Sequence, residues 1–79
     1  MFTVYVLQDK NGKIYKDHTE DLVRRFSEHC AGQTKSTKNF VEPRIMYTEQ
    51  FKTRGEAIFR EKYFKTAAGR KFLKAKLRS

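Results

Sequence analysis

The chain has 79 residues, 38% of them hydrophobic, and carries 18 Lys and Arg against nine Asp and Glu, a formal charge of +9. That length leads us to expect one domain over residues 1–79 with a modest core, and a lone cysteine, Cys30, excludes a disulfide framework or a structural zinc spacing. No apolar run approaches the roughly 20 residues of a membrane span and no signal-peptide pattern opens the chain, so a cytoplasmic setting is expected, and the charge excess points to polyanions, nucleic acid first.

Phe2 to Leu7 is a run of β-branched and aromatic residues. Phe2, Val4 and Val6 fall on one side of an extended chain and Thr3, Tyr5 and Leu7 on the other, the pattern of a strand covered on both faces. Asn11-Gly12, within the turn from Asp9 to Lys13, tolerates positive φ and signals a hairpin, so a second strand resuming at Ile14-Tyr15 pairs antiparallel with the first. From Thr19 the period becomes helical. Thr19 is the expected N-cap, Glu20 and Asp21 suit the positive end of the dipole, and Leu22, Val23, Phe26 and Cys30 share a face before Gly32 ends the helix. Gln33 to Glu42 is polar and aperiodic, an exposed loop closed by Pro43, and a loop that long is often functional. Arg44 to Phe51 is a third strand. Thr53 and Glu56 then form a capping box on a second helix that carries Ala57, Ile58 and Phe64 at core spacing and ends near Lys65. After a break at Thr66 to Gly69, residues 67–78 read as a basic amphipathic helix with Phe72, Leu73 and Leu77 as its apolar face. The expected fold is α+β: a three-stranded, mainly antiparallel sheet packed with three helices, in the order β-β-α-β-α-α.

Three placements bear on chemistry. Tyr5 and Tyr15 stand on paired strands around one turn, within reach of each other. Arg25 and His29, four apart, project from one face of the first helix. Glu61 lies on the apolar side of the second helix, where a carboxylate needs a partner. Two phenols, a guanidinium, an imidazole and a carboxylate form an inventory suited to phosphoryl cleavage: a metal-binding group, a cation for developing charge, and groups that take or give a proton.

Thr3-Val4-Tyr5, Ile14-Tyr15-Lys16-Asp17, Thr19-Glu20-Asp21-Leu22-x-Arg24-Arg25-x-x-Glu28-His29 and Glu56-Ala57-x-x-x-Glu61-Lys62 follow one another in an order and spacing that resembles the GIY-YIG nuclease superfamily. Lys35-Ser36-Thr37-Lys38 and Thr66-x-x-Gly69-Arg70 are similar to a loop and a helix start of its small stand-alone branch, related to the N-terminal nuclease domain of the DNA-repair excinuclease. The resemblance implies a metal-dependent endonuclease that hydrolyses a phosphodiester, of DNA before RNA, with a water nucleophile and a single divalent ion, Mg²⁺ or Mn²⁺. It implies that Glu61 holds the ion, Arg25 neutralises developing charge, Tyr5 takes part in deprotonating the water, and Tyr15 and His29 position or assist it. Lys16, Lys35, Ser36, Thr37, Lys38, Lys62, Lys65 and Arg70 are expected to contact nucleic acid. A monomer is expected, with no membrane contact, with a protein partner supplying specificity, and with a place in DNA repair or recombination.

The pattern departs from the family at Asp17, where the motif has glycine, and at Lys16 before it. Asp is among the few residues that tolerate positive φ, and its charge falls close to the expected phosphate. It would weaken substrate binding, give the ion an outer-shell contact, or simply occupy a surface turn. An alternative reading follows, a catalytically impaired nucleic-acid-binding module on the same fold; a third is a structural adaptor whose basic surface serves protein partners. His18 is expected in the turn, Cys30 as a small buried apolar side chain, and the Ser36 and Thr37 hydroxyls as partners of the loop backbone.

Overall fold

The structure, a computed structural model, describes residues 1–77. Strand β1 (Phe2–Gln8) lies between β2 (Ile14–Thr19) and β3 (Arg44–Phe51) and is antiparallel to both. Helices α1 (Leu22–Cys30), α2 (Arg54–Phe64) and α3 (Ala67–Leu77) complete the expected α+β order. The central place of β1 explains its unbroken apolar run: Val4, Tyr5, Val6 and Leu7 are all fully buried, because both faces of the strand are covered.

One face holds the core. Val4 and Val6 pack there with Ala57 and Phe64 of α2 and Leu73 of α3, and burying each larger side chain contributes about 1.5–3 kcal/mol. Arg60 of α2 fastens this layer to β3, donating from Nε and Nη2 to the two Glu49 carboxylate oxygens at 2.7 and 3.0 Å. Its guanidinium also lies within 5.0 Å of the Tyr63, Phe64 and Phe72 ring centroids, a favourable place for a cation. The other face is covered by α1, whose His29 docks on Tyr5.

The hairpin turn is held by Asp9, whose carboxylate accepts the backbone N–H groups of Asn11, Lys13 and, from the later loop, Val41. Gly12 takes the positive φ that the turn requires, +87°. Three local expectations need correction. Strand β2 runs on to Thr19, paired with Thr3, so the helix is capped by Asp21 instead: its Oδ1 accepts the Arg24 N–H at 3.1 Å, while Thr19 Oγ1 accepts the Asp21 N–H. Val23 is 82% exposed and Cys30 is exposed too. A lone helix lying on a sheet buries one stripe; Leu22, Phe26 and His29 at i, i+4 and i+7 take it, which leaves the line about 100° away outside. The loop after α1 is not wholly irregular or exposed, since Lys35–Thr37 makes a 3₁₀ turn that buries Thr37. Residue 78, expected in the last helix, lies outside the described residues.

Candidate active site at the edge of the sheet

Antiparallel pairing sets Tyr5 opposite Asp17 and Leu7 opposite Tyr15, and residues opposite one another share a face. Tyr5, Asp17 and Tyr15 therefore all lie under α1, the two tyrosines as diagonal neighbours with ring centroids 6.5 Å apart. His29 completes a cluster of three rings, 5.7 Å from Tyr5 and 5.1 Å from Tyr15. Tyr5 Oη is 2.8 Å from His29 Nε2, and His29 Nδ1 is 2.6 Å from Thr37 Oγ1. With the proton on Nδ1, Tyr5 donates to His29 and His29 to Thr37; the other tautomer reverses both bonds. Tyr5, His29 and Thr37 are each at most 2% exposed, so this chain of three sits behind the surface.

That burial shapes the acid–base properties. It pushes the Tyr5 phenol far above its ordinary 10.0, with the Asp17 charge adding to the rise and Arg25 opposing it. Tyr15 is also raised, by burial and by its bond to Asp17. His29 is held below its ordinary 6.5 by burial and then by the nearby Arg25 charge, against Asp17 and Glu28, so at neutral pH the imidazole is uncharged.

Asp17 sits within a strand and not in a turn, as its motif position suggested. Among the described residues positive φ occurs only at Gly12, Gly32 and Glu42. Its Oδ2 accepts the Tyr15 hydroxyl at 2.8 Å and lies 3.4 Å from Arg25 Nη2, while Oδ1 accepts the His18 backbone N–H at 2.7 Å. Burial pushes this carboxyl up, but those donors together with Glu61 more than offset it and hold it below its ordinary 3.8. Arg25 also pairs with Glu28 at 3.1 Å.

Glu61 stands on the opposite side. Val4 is the cross-strand partner of His18, so His18 points toward the α2 layer, where its Nδ1 meets Glu61 Oε1 at 2.6 Å. His18 thus belongs to β2 and to this cluster and is no turn residue. Lys65 Nζ holds the other Glu61 oxygen at 2.8 Å. Four of the five expected residues lie between the sheet and α1, Tyr5 and Tyr15 from the strands and Arg25 and His29 from the helix, and the fifth lies on the far face; the two sets flank the edge strand β2. One donor atom each from Asp17, His18 and Glu61 falls within 4.8 Å of the others. Two carboxylates and an imidazole at that spacing fit a divalent ion. An open groove of about 420 Å³ runs along this edge, lined by Asp17, His18, Arg24, Arg25 and Arg54 among others.

The expected nucleic-acid contacts divide between the two sides. Lys16 is half-buried, and burial with the nearby Arg70 and Lys65 charges lowers its pKa, which shows three cations gathered by α2 and α3. Lys35, Ser36 and Lys38 are exposed at the 3₁₀ turn, and Lys62 is exposed on α2. Thr37 alone of these is buried, its hydroxyl turned to His29 and not to the loop backbone. Sequence reasoning did not anticipate the contacts of Asp17 with Tyr15 and Arg25, of His18 with Glu61, or of Thr37 with His29. The hairpin register could have found the first two: once Gln8 is set opposite Ile14, Asp17 falls opposite Tyr5 and His18 opposite Val4. The loop motif marks Thr37 but nothing local points its hydroxyl to His29.

A family model described as the GIY-YIG catalytic domain matches residues 1–74. The chain is similar to a UPF0213 protein of Staphylococcus saprophyticus, 35% identical over 72 residues, covering 90% of this chain and 88% of that protein. It is also similar to a UPF0213 protein of Halobacterium salinarum, 37% identical over 62 residues, 77% of this chain and 80% of that one. Among solved structures, the solution NMR structure of a UPF0213 protein from Bacillus halodurans superposes with a TM-score of 0.58 at 29% identity, over 95% of this chain and 84% of that one. No helix among the described residues is long and apolar enough to cross a membrane.

Proposed function

The chain belongs to the GIY-YIG family, and from that premise we propose that it acts, as a single domain, as an endonuclease hydrolysing a nucleic-acid phosphodiester, of DNA before RNA. The observation that carries this reading is the meeting of Arg25, Glu61 and the Tyr5–His29 pair around one strand edge beside an open groove. Glu61 would hold a divalent ion, Mg²⁺ or Mn²⁺, which when bound would supply positive charge at the phosphate and a lowered pKa for water. Arg25 binds the phosphate and neutralises charge that develops on it. Tyr5, buried behind the surface with its Oη 2.8 Å from His29 Nε2, takes part in deprotonating the water from behind, and the half-buried Tyr15 orients the approach. Lys16, Lys65, Arg70, Lys62 and the exposed Lys35, Ser36 and Lys38 follow the strand, and a protein partner supplies specificity that so small a surface lacks.

The test is incubation with a panel of DNA and RNA structures in Mg²⁺ or Mn²⁺. Wild type cuts at least one of them; Glu61→Ala and Arg25→Ala each lose about 100-fold or more with unchanged circular dichroism. Cutting retained in both variants sinks the reading.

One observation favours a second reading, an impaired binding module. Arg25, the group needed by the phosphate, is already engaged by Asp17 at 3.4 Å and Glu28 at 3.1 Å. On that reading wild type binds nucleic acid without turnover and Asp17→Gly gains cutting; equal or lower activity in Asp17→Gly removes it.

A further inference from the structure

We propose that Asp17, His18 and Glu61 form a three-ligand site for a divalent transition metal of the Zn²⁺ and Co²⁺ class, with an imidazole nitrogen as the ligand that sets its preference. The inference rests on the placing of an ion at Glu61 proposed above and adds two ligands from the residues that depart from the family motif or follow it.

The geometry supports a built site. His18 Nδ1 lies 2.6 Å from Glu61 Oε1 and 3.6 Å from Asp17 Oδ1, and the three donors are all within 4.8 Å of one another. Around a tetrahedral ion with bonds of about 2.0–2.2 Å, neighbouring donors stand about 3.3 Å apart. The His18–Glu61 hydrogen bond therefore opens by about 0.7 Å on loading, a change within rotamer reach of two side chains. Each carboxylate presents one oxygen to the cluster and has the other tied from outside. Asp17 Oδ2 takes the Tyr15 hydroxyl at 2.8 Å and faces Arg25, and Glu61 Oε2 is held by Lys65 at 2.8 Å. That is the outer arrangement that orients ligating carboxylates. Side-chain exposures of 22%, 22% and 14% for Asp17, His18 and Glu61 leave the cluster partly desolvated, and Asp17 and His18 line the groove, which gives an ion a free position on that side for a water or phosphate oxygen.

The chemistry of the donors determines which ion gains. Mg²⁺ prefers oxygen ligands and dehydrates reluctantly, whereas imidazole suits Zn²⁺, Co²⁺ and Ni²⁺. A site of Glu61 with waters would hold Mg²⁺ weakly; adding His18 turns it toward metals later in the series.

Titration of the full chain with Co²⁺ and Zn²⁺, without nucleic acid, tests this. Expected is one equivalent bound, visible as the intense d–d absorption of four-coordinate Co²⁺, with affinity falling about tenfold or more in His18→Ala and in Asp17→Asn. In long-range ¹H–¹⁵N spectra of wild type, Zn²⁺ shifts the His18 Nδ1 resonance and leaves that of His29 in place, a readout that needs no variant to fold. The proposal is overturned by an absent Co²⁺ band, by equal affinity in His18→Ala, or by a Zn²⁺-induced shift at His29 and not at His18. Failure of the two readings is separable: stoichiometric Co²⁺ binding at His18 with no cleavage of any substrate removes the nuclease alone. Mg²⁺-dependent cleavage without Co²⁺ binding removes the transition-metal site alone.

Discussion

His29 and Asp17 couple the site to the stability of the fold. Both hold protons less readily in the folded chain than ordinarily, His29 below 6.5 and Asp17 below 3.8. A group depressed in this way contributes stability that is complete above its unfolded pKa and is lost as pH falls through the folded one. Melting temperature should therefore decline as pH drops from about 7 to 5, through His29, and decline again below about 4, through Asp17. His29→Gln should flatten the first decline, and a melting temperature that is level from pH 7 to 5 in wild type would contradict the assignment. Tyr5→Phe removes one end of the buried chain to Thr37 and leaves His29 Nε2 without its partner, a cost of about 1–3 kcal/mol. Denaturant unfolding should register that loss with no change in slope. His29 was legible from its spacing with Arg25, but its burial was not, because sequence shows which residues share a helix face and not how deeply that face docks.

Helices α2 and α3 position Glu61 and Lys65, and two residues govern how they do so. Thr53 caps α2, its Oγ1 accepting the Glu56 N–H at 3.2 Å, the cap anticipated there; the Glu56 carboxylate takes the Thr53 hydroxyl at 3.0 Å and not the Thr53 backbone N–H that would close a reciprocal box. Thr53→Ala should cost about 1 kcal/mol and lower the melting temperature by roughly 4–8 °C for a domain of this size. Gly69, in the first turn of α3, matters for a different reason: a Cβ there would collide with the Tyr63 carbonyl and lie 2.7 Å from the Cα of Phe64. Because backbone cannot yield as a side chain can, Gly69→Ala should destabilise by about 1–3 kcal/mol or more, even though Ala is the better helix former. A melting temperature equal to or above wild type would show that α3 stands off from α2. The cap was readable because its partners are three residues apart. Gly69 read only as a break, since the close approach it permits is made by another helix.

At the scale of the molecule, net charge and topology act together. The +9 charge should make nucleic-acid binding fall steeply with salt, log K declining by about 0.9 per phosphate neutralised on duplex. Lys16→Gln and Arg70→Gln, from the cations gathered near α3, should each reduce that slope by about one; slopes unchanged in both would move the contact surface elsewhere. From sequence alone come the α+β order, the hairpin, the Thr53 cap, the five candidate residues and the family resemblance, all of which depend on local spacing, period and turn chemistry. The placement of β1 at the centre of the sheet, with β3 on its far side, comes from tertiary structure. So does the division of the candidate site between two faces, with Asp17 and His18 pointing to opposite sides of β2. Alternation along a strand can be read in one dimension, but what covers each face depends on helices that arrive from elsewhere in the chain. For that reason Asp17, legible as a missing glycine, took its meaning only from the fold, which sets its carboxylate between Arg25, Tyr15 and His18.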